Sequence, residues 1–103
     1  MIRYKGVEFS DVDIDRVRAI AADEAKRTGK PQRLTCGRGL LCMVNDKGFA
    51  WWVVKAPYRG KATFQIGSLC SVTITDAHQA SLAMQKLAKS GSDPRDYLAP
   101  KTP

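Results

Sequence analysis

The sequence predicts an α+β domain: three to four antiparallel strands packed against a C-terminal helix, with an N-terminal helix in front of them. Three observations carry this fold class. A stripe of apolar residues at helical spacing follows Ser10, short apolar segments separated by glycine-containing turns occupy residues 33–67, and a second helical stripe follows Thr73. At 103 residues the chain has the size of one domain. We assign residues 1–98 to that domain and 99–103, within the proline-bearing end YLAPKTP, to a tail or linker.

Residues 1–9 alternate weakly (Ile2, Tyr4, Val7, Phe9) and can add a short strand or an arm. Ser10 is a good N-cap, and Asp13 completes a capping-box pattern with Asp in place of Glu. Ile14, Val17, Ile20, Ala21 and Ala25 then form the inward stripe of the first helix. Asp11, Asp13 and Asp15 at its start and Lys26 and Arg27 at its end suit the helix dipole. Gly29 can take the left-handed position after the last turn, and Pro31 prevents continuation.

Arg33 to Thr35 leads into Gly37-Arg38-Gly39, a turn whose glycines permit positive φ. Leu40 to Val44 and Phe49 to Ala56 read as strands joined by the hairpin chemistry of Asn45-Asp46-Lys47-Gly48. Pro57-Tyr58-Arg59-Gly60 reads as the next turn, with proline at its start. Ala62 to Ile66 is the following strand, ended by Gly67. The last helix starts at a second capping box, Thr73 with Asp76, and turns Ile74, Ala77, Ala80, Met84 and Leu87 inward. Gly91 closes it, and Ser92-Asp93-Pro94 begins a turn or a capped short helix.

Composition narrows the function. A formal net charge of +7 in so small a domain points to an anionic partner, nucleic acid before membrane, although solubility alone also accounts for it. Cys36, Cys42 and Cys70 lack CxxC spacing, and with the single His78 they make no zinc set. They read as small, buried, reduced residues of a cytoplasmic protein. The start, MIRYKGVEF, lacks the apolar segment of a signal peptide, and no stretch approaches the ~20 apolar residues of a membrane helix. No Ser/His/Asp set, paired-carboxylate cleft or phosphate-binding glycine loop is present, so neither catalysis nor a cofactor or metal is expected. His78 reads as a surface or capping residue.

Arg33-Leu34, Gly37-Arg38-Gly39-Leu40, Val44, Gly48, Trp52, Gly60-Lys61, Ile66-Gly67, Thr73 to Ala77 and Gly91 to Pro94 follow one another in an order that matches a known pattern. Over residues 33–94 the chain resembles the N-terminal arm-type DNA-binding domain of phage-type tyrosine recombinases, the integrases of prophages and genomic islands. The resemblance implies a three-stranded sheet backed by the C-terminal helix, with one sheet face against DNA. Tyr58, at a turn tip, is not the recombinase nucleophile. The residues before Arg33 match less well. His78 stands where the family has Arg, and Leu69-Cys70 where it has Tyr-Pro.

Strand alternation with Trp52 inward, as in the family, turns Leu40, Cys42, Val44, Trp52, Val54, Phe64 and Ile66 toward the helix. The opposite face then carries Leu41, Met43, Trp51, Val53, Lys55, Lys61, Thr63 and Gln65. Such a face in integrases is cationic and polar; here half of it is apolar, as partner surfaces are. Lys55, Arg59 and Lys61 can track a phosphate backbone, or are a solvated hairpin tip. Arg33 and Arg38 extend this edge, with solvation the simpler account.

The expected function is therefore a non-catalytic module contacting duplex DNA through Lys55, Arg59, Lys61, Thr63, Gln65 and Arg38. The alternative is a small phage or mobile-element protein, free-standing from Met1 to Pro103. It would use Leu41, Met43, Trp51 and Val53 to bind and inhibit a host protein complex, as an anti-CRISPR does, or to self-associate. The sequence leaves open whether the first helix covers Trp51.

Overall fold

The computed structural model describes residues 1–97; the expected tail lies outside the described residues. The strands are β1 (Ile2–Tyr4), β2 (Val7–Phe9), β3 (Gln32–Gly37), β4 (Leu40–Val44), β5 (Ala50–Tyr58) and β6 (Lys61–Ser68), with helices α1 (Ile14–Thr28) and α2 (Ile74–Lys89). All strands join one antiparallel sheet in the order β2-β1-β3-β4-β5-β6. The class is α+β as expected, but the sheet has six strands rather than three to four.

The two additional strands come from residues 1–9. Ile2 and Tyr4 drop into the core, 0% and 7% exposed. Lys5-Gly6 turns the chain with φ of 50° and 80°, and the Tyr4 hydroxyl donates to Gln32 Oε1 at 2.8 Å. Three-residue strands are too short to show a period, which is why the sequence gives only a weak signal. Lys5 Nζ reaches Glu24 of α1 at 2.8 Å, and Arg27 bonds the same carboxylate. These two cations, Arg27 foremost, hold the Glu24 carboxyl down at about 2.

Both helices lie on one side of the sheet. Val17 and Ala21 of α1 share a buried cluster with Leu34, Cys42, Trp52 and Val54 of the sheet and Ala77 and Met84 of α2. The first helix departs from expectation at its start. A 3₁₀ turn occupies Asp11–Asp13, α1 begins at Ile14, and neither Ser10 nor Asp13 makes a side-chain cap. Ile20 is 44% exposed, so the buried stripe is Val17, Ala21 and Ala25. Gly29 closes α1 at φ 70°, its N–H donating to Ala25 O at 2.8 Å. At α2 the cap forms as predicted, Thr73 Oγ1 accepting from the Asp76 N–H at 3.1 Å. After α2, a 3₁₀ turn spans Pro94–Tyr97, capped by Asp93 Oδ1 accepting the Arg95 N–H.

Strands β5 and β6 run further than predicted. Pro57, expected to open a turn, lies inside β5 where the register slips between Lys55 and Tyr58; a bulge tolerates the missing N–H. The turn itself is only Arg59-Gly60. A second slip leaves Ile66 without an opposite residue, since Trp52 faces Gly67 and Val53 faces Gln65. Trp52 is fully buried, and its indole N–H donates to Val72 O at 2.8 Å, tying β5 to the segment that leads into α2. Cys36 and Cys42 are buried, and burial pushes both thiols up to about 12. Cys70, expected to be buried, is exposed.

Candidate functional site

Because both helices pack on one side, no helix among the described residues covers the other side of the sheet. This settles the alternative left open for α1, whose stripe is spent against β3 and β4. Register builds this free face in rows. Arg3, Thr35, Leu41, Val53 and Gln65 lie opposite one another across successive strands, as do Arg33, Met43, Trp51 and Ser68. The strands curve around a concavity of about 860 Å³ lined by Leu41, Met43, Trp51 and Val53, with Arg33, Lys61, Thr63, Gln65 and Arg95. Leu41 and Val53 form a deep floor, only 5% and 8% exposed, while Met43 and Trp51 are half-buried.

Of the residues predicted from sequence, Lys61, Thr63 and Gln65 line this concavity with the four apolar ones. Arg38, Lys55 and Arg59 do not. They gather at one end of the sheet, where antiparallel alternation places both the β3–β4 and the β5–β6 turns. The two turns stand about 10 Å apart across the sheet, two strand spacings. Beyond the last β4–β5 pair, Leu40 with Val54, the β5–β6 hairpin overhangs and carries Lys55, Arg59 and Lys61 past the body of the sheet.

Both turns hold an arginine in the left-handed region. Arg38 and Gly39 have φ of 52° and 81°, Arg59 and Gly60 47° and 81°, the signature of a two-residue hairpin turn. Asn or Gly is the usual first residue, and an arginine there costs about 1–2 kcal/mol. The β3–β4 turn is also clamped from behind. Ser81 Oγ donates to Arg38 O at 3.2 Å, Gln85 Nε2 donates to the same carbonyl at 2.5 Å, and the Lys55 N–H donates to Gly39 O at 2.8 Å. The Arg59 guanidinium lies over the Tyr58 ring, 5.4 Å from its centroid, and Lys61 Nζ over Phe64 at 5.2 Å.

The charges are segregated. Of ten Asp and Glu residues only Glu8 falls in a strand, at the far edge of the sheet, where Arg3 pairs with it at 2.6 Å. Among the described residues, Arg33, Arg38, Lys55, Arg59 and Lys61 form no ion pair. Arg95 is matched by Asp93 at 2.7 Å.

Two lining residues escape the sequence-based set. Arg33, read from sequence as extending the basic edge with solvation the simpler account, pairs with Met43 and so lies on the free face. Arg95 carries no sequence signal, because its approach depends on how the chain folds back after α2. His78 is half-buried beside Cys36, Gly37 and Arg38, and burial, its main influence, lowers its pKa. No helix among the described residues is long and apolar enough to cross a membrane.

Comparison with known proteins gives one finding. A family model described as an Arm DNA-binding domain matches residues 10–99, so β3 to β6 and both helices fall within it and the β1–β2 hairpin precedes it. No curated protein matches the chain.

Proposed function

The chain belongs to the arm DNA-binding domain family, found in phage integrases, and from that membership we propose that it grips duplex DNA with the free sheet face and the basic end of the sheet. Charge segregation is the observation that carries this reading. Strands β3 to β6 and their two tight turns carry Arg33, Arg38, Lys55, Arg59 and Lys61 without a single carboxylate, while every acid but Glu8, which Arg3 pairs at the far edge, lies in the helices, the 3₁₀ turns and the loops. A polyanion lowers its energy by approaching that side, releasing about one condensed cation for each phosphate neutralised. In this reading Arg38, Lys55, Arg59 and Lys61 meet phosphates and fix orientation, while Thr63 and Gln65 face base edges. The clamp on the Arg38 carbonyl supports it, since it fixes the backbone of the turn from which the Arg38 side chain projects.

The test is fluorescence anisotropy with a labelled duplex across a salt series starting at about 50 mM. Affinity is expected to fall steeply, and Arg59→Ala or Lys61→Ala each to weaken binding to all sequences alike and flatten the log–log salt slope by about 0.9. Absence of binding at the lowest salt refutes the proposal. The apolar floor supports a second reading, docking of a host protein complex as an anti-CRISPR does, and that outcome would favour it.

A further inference from the structure

Phosphate contacts leave the apolar floor without a task. Leu41, Met43, Trp51 and Val53 line the concavity between Arg33 on β3 and Lys61 on β6. Pressed against most base edges, such a floor would strip water from carbonyl and ring nitrogen acceptors and return no hydrogen bond, which is costly. One base edge in the major groove is itself apolar: the C5-methyl of thymine.

We infer that this floor reads thymine methyl groups, so that the domain prefers duplexes whose major groove is lined with them; this rests on the DNA-binding reading above. The accessible parts are Met43 and Trp51, which lie opposite each other on β4 and β5, while Leu41 and Val53, in the neighbouring row, are almost fully buried. Rows two residues apart are about 7 Å apart along a strand, close to two base-pair steps. Gln65, opposite Val53 in register, brings an amide to the same row, and an amide pairs with the N6 and N7 of adenine. Methyl contact on one strand and amide contact on the other both select A·T pairs.

The decisive comparison is between a thymine-rich duplex and the same duplex with deoxyuridine throughout, which removes methyl groups and leaves charge and pairing intact. The expected result is weaker binding of the uracil duplex, by about fourfold for each methyl buried. Replacing cytosine with 5-methylcytosine in a G·C-rich duplex should strengthen binding. Trp51→Ala should shrink the thymine-to-uracil ratio and leave the salt slope unchanged. Met43→Gln, which keeps side-chain length, should do the same if Trp51→Ala fails to fold. Lys61→Ala should lower both affinities and preserve their ratio. Equal affinity for the thymine and uracil duplexes overturns the inference while the DNA-binding reading stands. Binding to neither duplex overturns both and points to a protein partner for the floor.

Discussion

Gly39→Ala and Gly60→Ala form a matched pair, since both glycines have φ +81° at the second position of a tight turn. An alanine in that conformation costs about 1–2 kcal/mol wherever it stands. At Gly60 nothing lies within 4 Å of the new Cβ, so that is the whole cost. At Gly39 the Cβ would stand 2.6 Å from Gln85 Nε2 and 3.3 Å from the Lys55 carbonyl oxygen. The Gln85 amide must swing away and abandon its hydrogen bonds to Arg38 O and Ser81 Oγ. At about 1 kcal/mol net for each bond, Gly39→Ala should cost about 3–4 kcal/mol, some 2 more than Gly60→Ala. Urea unfolding followed by tryptophan fluorescence measures both. In a domain of this size the additional loss alone lowers the melting temperature by roughly 8–16 °C. Gln85→Ala should remove most of the difference, because the clash and the clamp are the same side chain. Costs for the two alanine variants within about 0.5 kcal/mol of each other would show that the clamp contributes nothing.

Trp52→Ala should destabilise the fold by about 3–5 kcal/mol, and Trp51→Ala by much less, since Trp52 is fully buried and hydrogen-bonded to Val72 while Trp51 is half-buried on the free face. In the native state a maleimide at neutral pH should modify Cys70 alone, with Cys36 and Cys42 reacting only after denaturation; mass spectrometry counts the adducts. His78 has a folded pKa below its ordinary 6.5, so its contribution to stability is complete above that value and is lost as pH falls through the lower, folded one. Urea midpoints measured between about pH 7 and pH 5 should therefore decline less in His78→Gln than in the unaltered chain.

The helices and the middle strands were legible because each rests on a long local pattern. Strand alternation from Leu40 to Val54 puts the two tryptophans on opposite faces, and the family resemblance, with Trp52 inward, decided which of them is buried. What was hidden depends on contacts far apart in sequence. The β1–β2 hairpin is held by Tyr4 to Gln32 and Lys5 to Glu24, pairings that no local periodicity encodes. Ser10 and Asp13 have the residue types of a capping box, yet the chain spends them on a 3₁₀ turn that steers α1 onto the sheet. Ser81, which no reading of the sequence singles out, points inward from α2 to meet Arg38, a contact between residues 43 positions apart. Within the candidate face, alternation located Leu41, Met43, Trp51, Val53, Thr63 and Gln65. It could not foresee that Arg38, Lys55 and Arg59 gather at one end, because that depends on the overhang of the last hairpin.

The opening hairpin separates two ways of deciding where this domain starts. Similarity to relatives begins at residue 10, whereas packing begins at Ile2. A chain trimmed to the similarity boundary would lose two interior side chains, Ile2 and Tyr4, and bare the outer edge of β3 around Thr35, where β1 pairs with it. Bare strands of that kind recruit other strands, so such a fragment should clump in solution, and its behaviour would say little about the intact protein. Whatever this chain gains from its first nine residues, the rest of the sheet has come to depend on them.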